Sequence, residues 1–177
     1  MAHDSAHGAA GNAANAVPLS AAAQRVQDAI LARGFTNRVL ELQVPVKTSQ
    51  AAADAVGCTV AQIVKSLVWA YEPEAGAPRP LLVLASGADR LDTAKLEALV
   101  GRPVQMANPK FVREVTGFAI GGIPPLGHAQ PIEVIIEQRL LALGSLWAAA
   151  GHPNSLFPLT PAELVSMTGG RVAEVAL

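Results

Sequence analysis

Ser66-Leu67-Val68-Trp69-Ala70-Tyr71, then Glu72–Pro80, then Pro80-Leu81-Leu82-Val83-Leu84-Ala85 is the stretch that decides the fold of this chain. Two short apolar runs rich in Leu, Val and aromatics flank a segment carrying Pro73, Gly76, Pro78 and the acids Glu72 and Glu74. Runs of this length and composition are buried strands, and the polar, proline-bearing segment between them is a surface hairpin loop. The fold therefore contains a hairpin, a buried strand and its return.

Elements of both periods surround the hairpin. Upstream, Ser20 opens a helical pattern with Ala22, Val26, Ala29, Ile30 and Arg33 at three-to-four spacing, and Gly34 stops it. Val39–Val44 alternates Leu40, Leu42 and Val44 with Glu41 and Gln43, which predicts a strand with an apolar face. Thr48 or Ser49 caps an Ala-rich helix ending at Gly57, and Cys58–Val64 is expected to add a turn or two of helix capped by Thr59. Downstream, Asp92 caps a helix through Leu99 that Gly101 closes, and Pro103–Met106 is a short strand. Asn108 and Pro109 begin a helix that ends near Gly117. Pro131–Ile136, Leu146–Ala149 and Ser155–Leu159 read as strands. Thr160-Pro161-Ala162-Glu163 is a helix start with cap, first-turn proline and capping-box glutamate, Gly169 ends that helix, and Arg171–Val175 is a last strand. Helices alternate with strands, yet some strands are joined by short loops, so the class is α/β with a mixed sheet.

The bulk numbers set limits. A chain of 177 residues, 51% hydrophobic with mean hydropathy +0.33, can bury a sizeable core. Residues 1–17 are Ala/Gly/Asn-rich, with His3, Asp4 and His7, and read as a flexible tail before a single domain over 18–177. They lack the basic start and apolar run of a signal peptide, and no run is long enough to span a bilayer, so a cytoplasmic protein is expected. The lone Cys58 excludes an intrachain disulfide or a cysteine-rich metal site. A formal net charge of −1 excludes holding a long polynucleotide by a broad basic field, but permits local phosphate contacts at a short end.

No P-loop, dinucleotide fingerprint, zincin motif or nucleophile elbow is present, and the four histidines are scattered, so no metal site is expected. Lys65 is the unusual cation, set between Ile63-Val64 and Leu67-Val68-Trp69 with Ser66 beside it. Its stem packs with the head in water, or its ammonium sits at a cleft rim to bind phosphate or a carbonyl oxygen. Gly121-Gly122-Ile123-Pro124-Pro125-Leu126-Gly127-His128 is either a tight connection or a stiffened loop presenting amide donors to a developing oxyanion. Glu137, after Val134-Ile135-Ile136, is a polar cleft residue or the cap of the next turn. His152, in Gly151-His152-Pro153-Asn154, lines a pocket or faces solvent.

Taken in order, Gly57–Val68, Leu81–Asp92, Thr116–Gly127 and Leu159–Val175 resemble the YbaK/EbsC/ProX family, which includes the editing insertion of bacterial prolyl-tRNA synthetases. The resemblance covers roughly residues 20–177. It implies a compact editing domain with a mixed, partly barrel-like sheet and packed helices. It also implies hydrolysis of the ester in a mischarged tRNA, often tRNA for proline, with no metal or organic cofactor. By the same resemblance the family lysine falls on Lys65, and the G-x-x-x-P loop on Gly121 through Pro125. Gly121 and Gly122 hold the carbonyl beside Lys65; Ser66, Ile123, Pro124, Pro125, Glu137 and His152 contact substrate. The implied partners are the aminoacylated tRNA acceptor end and prolyl-tRNA synthetase. The chain departs from the pattern at Pro124, where relatives often have Ser, at His128, where they often have Lys, and in the 151–154 loop. A module of the same fold that binds a nucleotide or tRNA end without hydrolysis is the alternative.

Overall fold

The computed structural model describes residues 18–177; the tail expected over 1–17 lies outside the described residues. The central hairpin is formed by β2 (Ile63–Tyr71) and β3 (Arg79–Ser86), paired antiparallel from Val64↔Ser86 to Tyr71↔Arg79. Leu82 and Leu84 enter one apolar cluster, while Leu81 and Val83 enter another. This is the pleat's alternation, and it explains why β3 is an unbroken apolar run: both of its faces are covered.

Around the hairpin stand β1 (Leu40–Glu41), β4 (Val104–Met106), β5 (Glu133–Glu137), β6 (Leu146–Ala149), β7 (Ser155–Leu159) and β8 (Arg171–Ala173). The sheet order is β1-β7-β6-β2-β3-β5-β8, with β4 on the C-terminal part of β2. The pairs β2–β6, β3–β5 and β5–β8 are parallel and the others antiparallel, giving the mixed sheet expected.

Among the described residues, five helices cover it: α1 (Ala21–Ala32), α2 (Ser49–Val56), α3 (Thr93–Val100), α4 (Pro109–Thr116) and α5 (Pro161–Thr168). Ser20, Thr48, Asp92, Asn108 and Thr160 each accept an amide at their helix starts, contributions of about 1 kcal/mol apiece. The main cluster joins α1, α4 and α5 to one face through Val26, Ile30, Val112, Leu164 and Phe157. Leu96 of α3 packs on Leu81, Val83 and Ile135 on the other face, and Ala52 and Ala53 of α2 pack on Ile63 and Leu156.

Four boundaries differ from expectation. Cys58–Val64 is not a helix: only Val60–Gln62 forms a 3-10 turn, and Ile63 and Val64 already pair with Trp147 and Ala148 of β6. The strand expected over Val39–Val44 shrinks to Leu40–Glu41, which pair with Leu156 and Ser155 of β7. Its faces are also reversed in part: Leu40 and Val44 are 45% and 62% exposed, whereas the Glu41 side chain is 9% exposed. β5 starts two residues later than expected and ends at Glu137, and β8 stops at Ala173.

Candidate active site

A cavity of about 270 Å³ opens between the N-terminal half of β2, the start of α2, the 120–123 loop and the 152–156 segment. Lys65, Ser66, Gly121, Ile123 and His152 line it, together with Val46, Thr48, Ser49, Ile63, Ser155 and Leu156. The volume lies just under the range of about 300–1,000 Å³ usual for drug-sized ligands, so the cavity has room for a small group only.

Lys65 sits in the third position of β2, opposite Ala85, and is half-buried. Its Nζ donates to the backbone carbonyl of Asp89, in the turn that follows β3. Burial pushes the ammonium below its ordinary value, the Asp89 charge pulls it back up, and Arg90 lowers it. The Asp89 carboxylate is itself held by Arg139, Nη1 to Oδ1 at 3.0 Å, while Oδ2 is buried without a partner. The turn is fixed beneath by Gly87 N–H donating to Ile63 O at 2.6 Å and Ser86 Oγ donating to Ala61 O at 2.7 Å. One carbonyl thus occupies one of the three ammonium donors, leaving the others for a ligand. Ser66 Oγ is buried and has no partner, an unspent hydroxyl in the residue beside it.

Gly121 and Gly122 are not equivalent. Gly121, at φ +99°, is exposed on the cavity, and its N–H donates to no group among the described residues. Gly122 is buried and is not a cavity residue, contrary to expectation. Its N–H donates to Ala119 O at 3.2 Å and its carbonyl accepts from Gly151 N–H at 2.8 Å. A Cβ on Gly122 would meet the His152 backbone at 2.8–2.9 Å, so this glycine lets two loops touch rather than offering an oxyanion donor.

That contact sets His152 on the cavity wall. His152 Nδ1 accepts from Asn154 N–H at 3.2 Å, and its carbonyl accepts from Ser155 N–H at 2.9 Å. Three further expectations fail. Pro124 is buried with its carbonyl 2.8 Å from His128 Nε2, and lies off this cavity. Pro125 lines a different cavity of about 410 Å³, with Arg33, His128 and Met167. Glu137 is fully buried: Oε2 accepts from Val175 N–H at 2.6 Å and Ala176 N–H at 2.8 Å, and Oε1 from Arg139 N–H at 3.2 Å. It latches the C-terminal segment to β5 and caps the 3-10 turn that follows, which is the second of its two expected roles, and it does not line the cavity.

Sequence reading missed Asp89 and Glu41. The turn Ser86-Gly87-Ala88-Asp89 is visible in composition, but its carbonyl meets Lys65 only because β2 and β3 pair in this register. Cys58, half-buried with its thiol pushed up by burial, is a poor nucleophile. Among the described residues, no three His, Cys, Asp or Glu side chains gather as a metal set, and no helix is long and apolar enough to cross a membrane.

Fold and site together define a class: an α/β domain with a small cavity lined by lysine, a glycine whose N–H is unpaired among the described residues, and an imidazole. The chain belongs to the aminoacyl-tRNA editing domain family, which residues 43–167 match. It is similar to a crystal structure described as a candidate trans-editing enzyme for prolyl-tRNA synthetase, with TM-score 0.84 and 46% identity over 90% of this chain and 99% of that one. It is 32% identical to the uncharacterized protein YwhH of Bacillus subtilis (strain 168), covering 77% of this chain and 84% of that protein. It is 24% identical to EbsC of Enterococcus faecalis (strain ATCC 700802 / V583), described as a candidate Cys-tRNA(Pro)/Cys-tRNA(Cys) deacylase, covering 72% and 76%.

Proposed function

We propose that this chain is a trans-acting aminoacyl-tRNA deacylase that hydrolyses the ester of a mischarged tRNA, with tRNA for proline as its tRNA class. The observation that carries the reading is the convergence of Lys65, the unpaired Gly121 N–H and His152 on one small cavity in an editing-family domain. An aminoacyl ester is already activated, so placing water and stabilising the carbonyl oxygen suffices. Water's oxygen bonds to the carbonyl carbon, the ester C–O bond breaks, and the ribose oxygen leaves with the proton that water gives up. Gly121 N–H donates to the carbonyl oxygen as charge develops there. Lys65, with two donors free, holds the terminal phosphate and adenosine region. Ser66 and Ile123 form part of the wall beside it. A ribose hydroxyl of the substrate assists the water, so no protein base is required. The partners are the tRNA acceptor end and, through the shared tRNA, prolyl-tRNA synthetase, and the setting is the cytoplasm.

Incubating a panel of mischarged tRNAs with the wild-type chain and with Lys65→Ala tests this. Deacylation that depends on Lys65 is the expected result. Turnover of no ester, with measurable binding of the tRNA end, assigns the chain instead to a non-catalytic binding module.

A further inference from the structure

The alternation that puts Glu41 inside rather than outside leaves a carboxylate behind the cavity wall. Its Oε2 accepts from Ser20 N–H at 3.2 Å, Ser20 Oγ at 3.5 Å and Ser155 Oγ at 3.0 Å. Three donors offset the cost of removing this charge from water. Its Oε1 accepts nothing among the described residues, and the one basic nitrogen found within 4.0 Å of the carboxylate is His152 Nδ1, at 3.8 Å. Ser155, which Glu41 grips, is fully buried on the cavity wall, pairs with Glu41 in the sheet, and donates its N–H to the His152 carbonyl.

We propose that Glu41 is a positioning residue: it holds the 152–155 turn so that His152 presents Nε2–H to the ester carbonyl. The proposal rests on the deacylase reading above. Because Nδ1 accepts from Asn154 N–H, the neutral ring carries its proton on Nε2, the nitrogen left for the cavity. Glu41 reaches the ring through Ser155, whose hydroxyl it holds and whose N–H donates to the His152 carbonyl. As water adds to the ester carbon, Nε2–H donates to the oxygen becoming an oxyanion. The proton stays on nitrogen, and the bond changes are those already given.

Kinetics of the full chain on the tRNA it deacylates decide the matter, with wild type, Glu41→Gln, His152→Ala and the double variant compared. His152→Ala is expected to lower kcat about 100-fold, and Glu41→Gln about tenfold, with KM changed less than about threefold in each. The double variant is expected to match His152→Ala alone, because Glu41 acts through the ring. Losses that multiply, or a Glu41→Gln protein with wild-type kcat, overturn the inference while leaving the deacylase reading intact. A wild type that hydrolyses no ester overturns both. Should Glu41→Gln not fold, long-range proton–nitrogen NMR of the wild type reads the His152 tautomer directly. A neutral ring bearing its proton on Nε2 is expected, and one bearing it on Nδ1 overturns the proposal.

Discussion

The two halves of the 121–128 loop face different cavities. Gly121 and Ile123 open on the smaller one with Lys65, whereas Pro125 to His128 line the larger with Arg33. The larger cavity has the greater room, about 410 against 270 Å³, and is lined by Arg33 and His128 but by none of Lys65, Ser66, Gly121 and His152. The proposed chemistry is assigned to the smaller cavity on these residues and not on volume. A single loop can be half site and half packing, and its motif does not reveal where the division falls.

The sharpest way to break this contrast is to remove one cation from each cavity, Lys65 from a wall that also carries Lys47, and Arg33 from the other. Lys65→Ala is expected to cost about 10²- to 10³-fold in kcat/KM for deacylation. Arg33→Ala, at the other cavity, is expected to stay within about twofold. Comparable losses from both would erase the distinction. The two glycines come next. Gly122→Ala drives a Cβ into the His152 backbone and is expected to destabilise by about 1–3 kcal/mol, seen as a lower urea midpoint with unchanged slope. Gly121→Ala has space around it, the nearest atom being Pro153 Cγ at 4.0 Å, but its φ of +99° strains any side chain, for about 1 kcal/mol. Its activity should fall more than its stability accounts for, since the amide on the cavity turns with the backbone.

The smallest expected effect is at His128. Burial holds this ring below its ordinary value, against the Pro124 carbonyl that raises it and beside Arg33 that lowers it further. The unfolded chain thus binds the proton at a higher pH than the folded one, so stability is full above the ordinary histidine value of about 6.5 and falls as pH drops through it. Urea midpoints taken from pH 8 to pH 5 should slope less in His128→Gln than in wild type.

Local chemistry made much of the fold legible. Capping residues, first-turn prolines and terminal glycines marked α2 to α5, and the uncharged run of β3 announced a strand covered on both faces. Lys65 was legible as an oddity of composition. What could not be read was which partner each backbone group finds. Leu40 and Val44 alternate like a buried face, yet Ser20 and Ser155 draw Glu41 inward and leave both exposed. Gly121 and Gly122 look interchangeable until Gly151, thirty residues on, takes the carbonyl of one. Glu137 looks like a cleft acid until the amides of Val175 and Ala176 arrive.

The order of the sheet has a further consequence. Its longest strands, β2 with nine residues and β3 with eight, lie inside, while the strands that end the described sheet, β1 and β8, have two and three. An open row of amides and carbonyls is what lets one sheet recruit another into fibrils, and rows this short give an incoming chain almost nothing to grip. A domain so rich in aliphatic residues is in this way guarded against self-association at its margins. Its resistance to aggregation when concentrated should depend more on keeping β2 and β3 enclosed than on its near-zero charge.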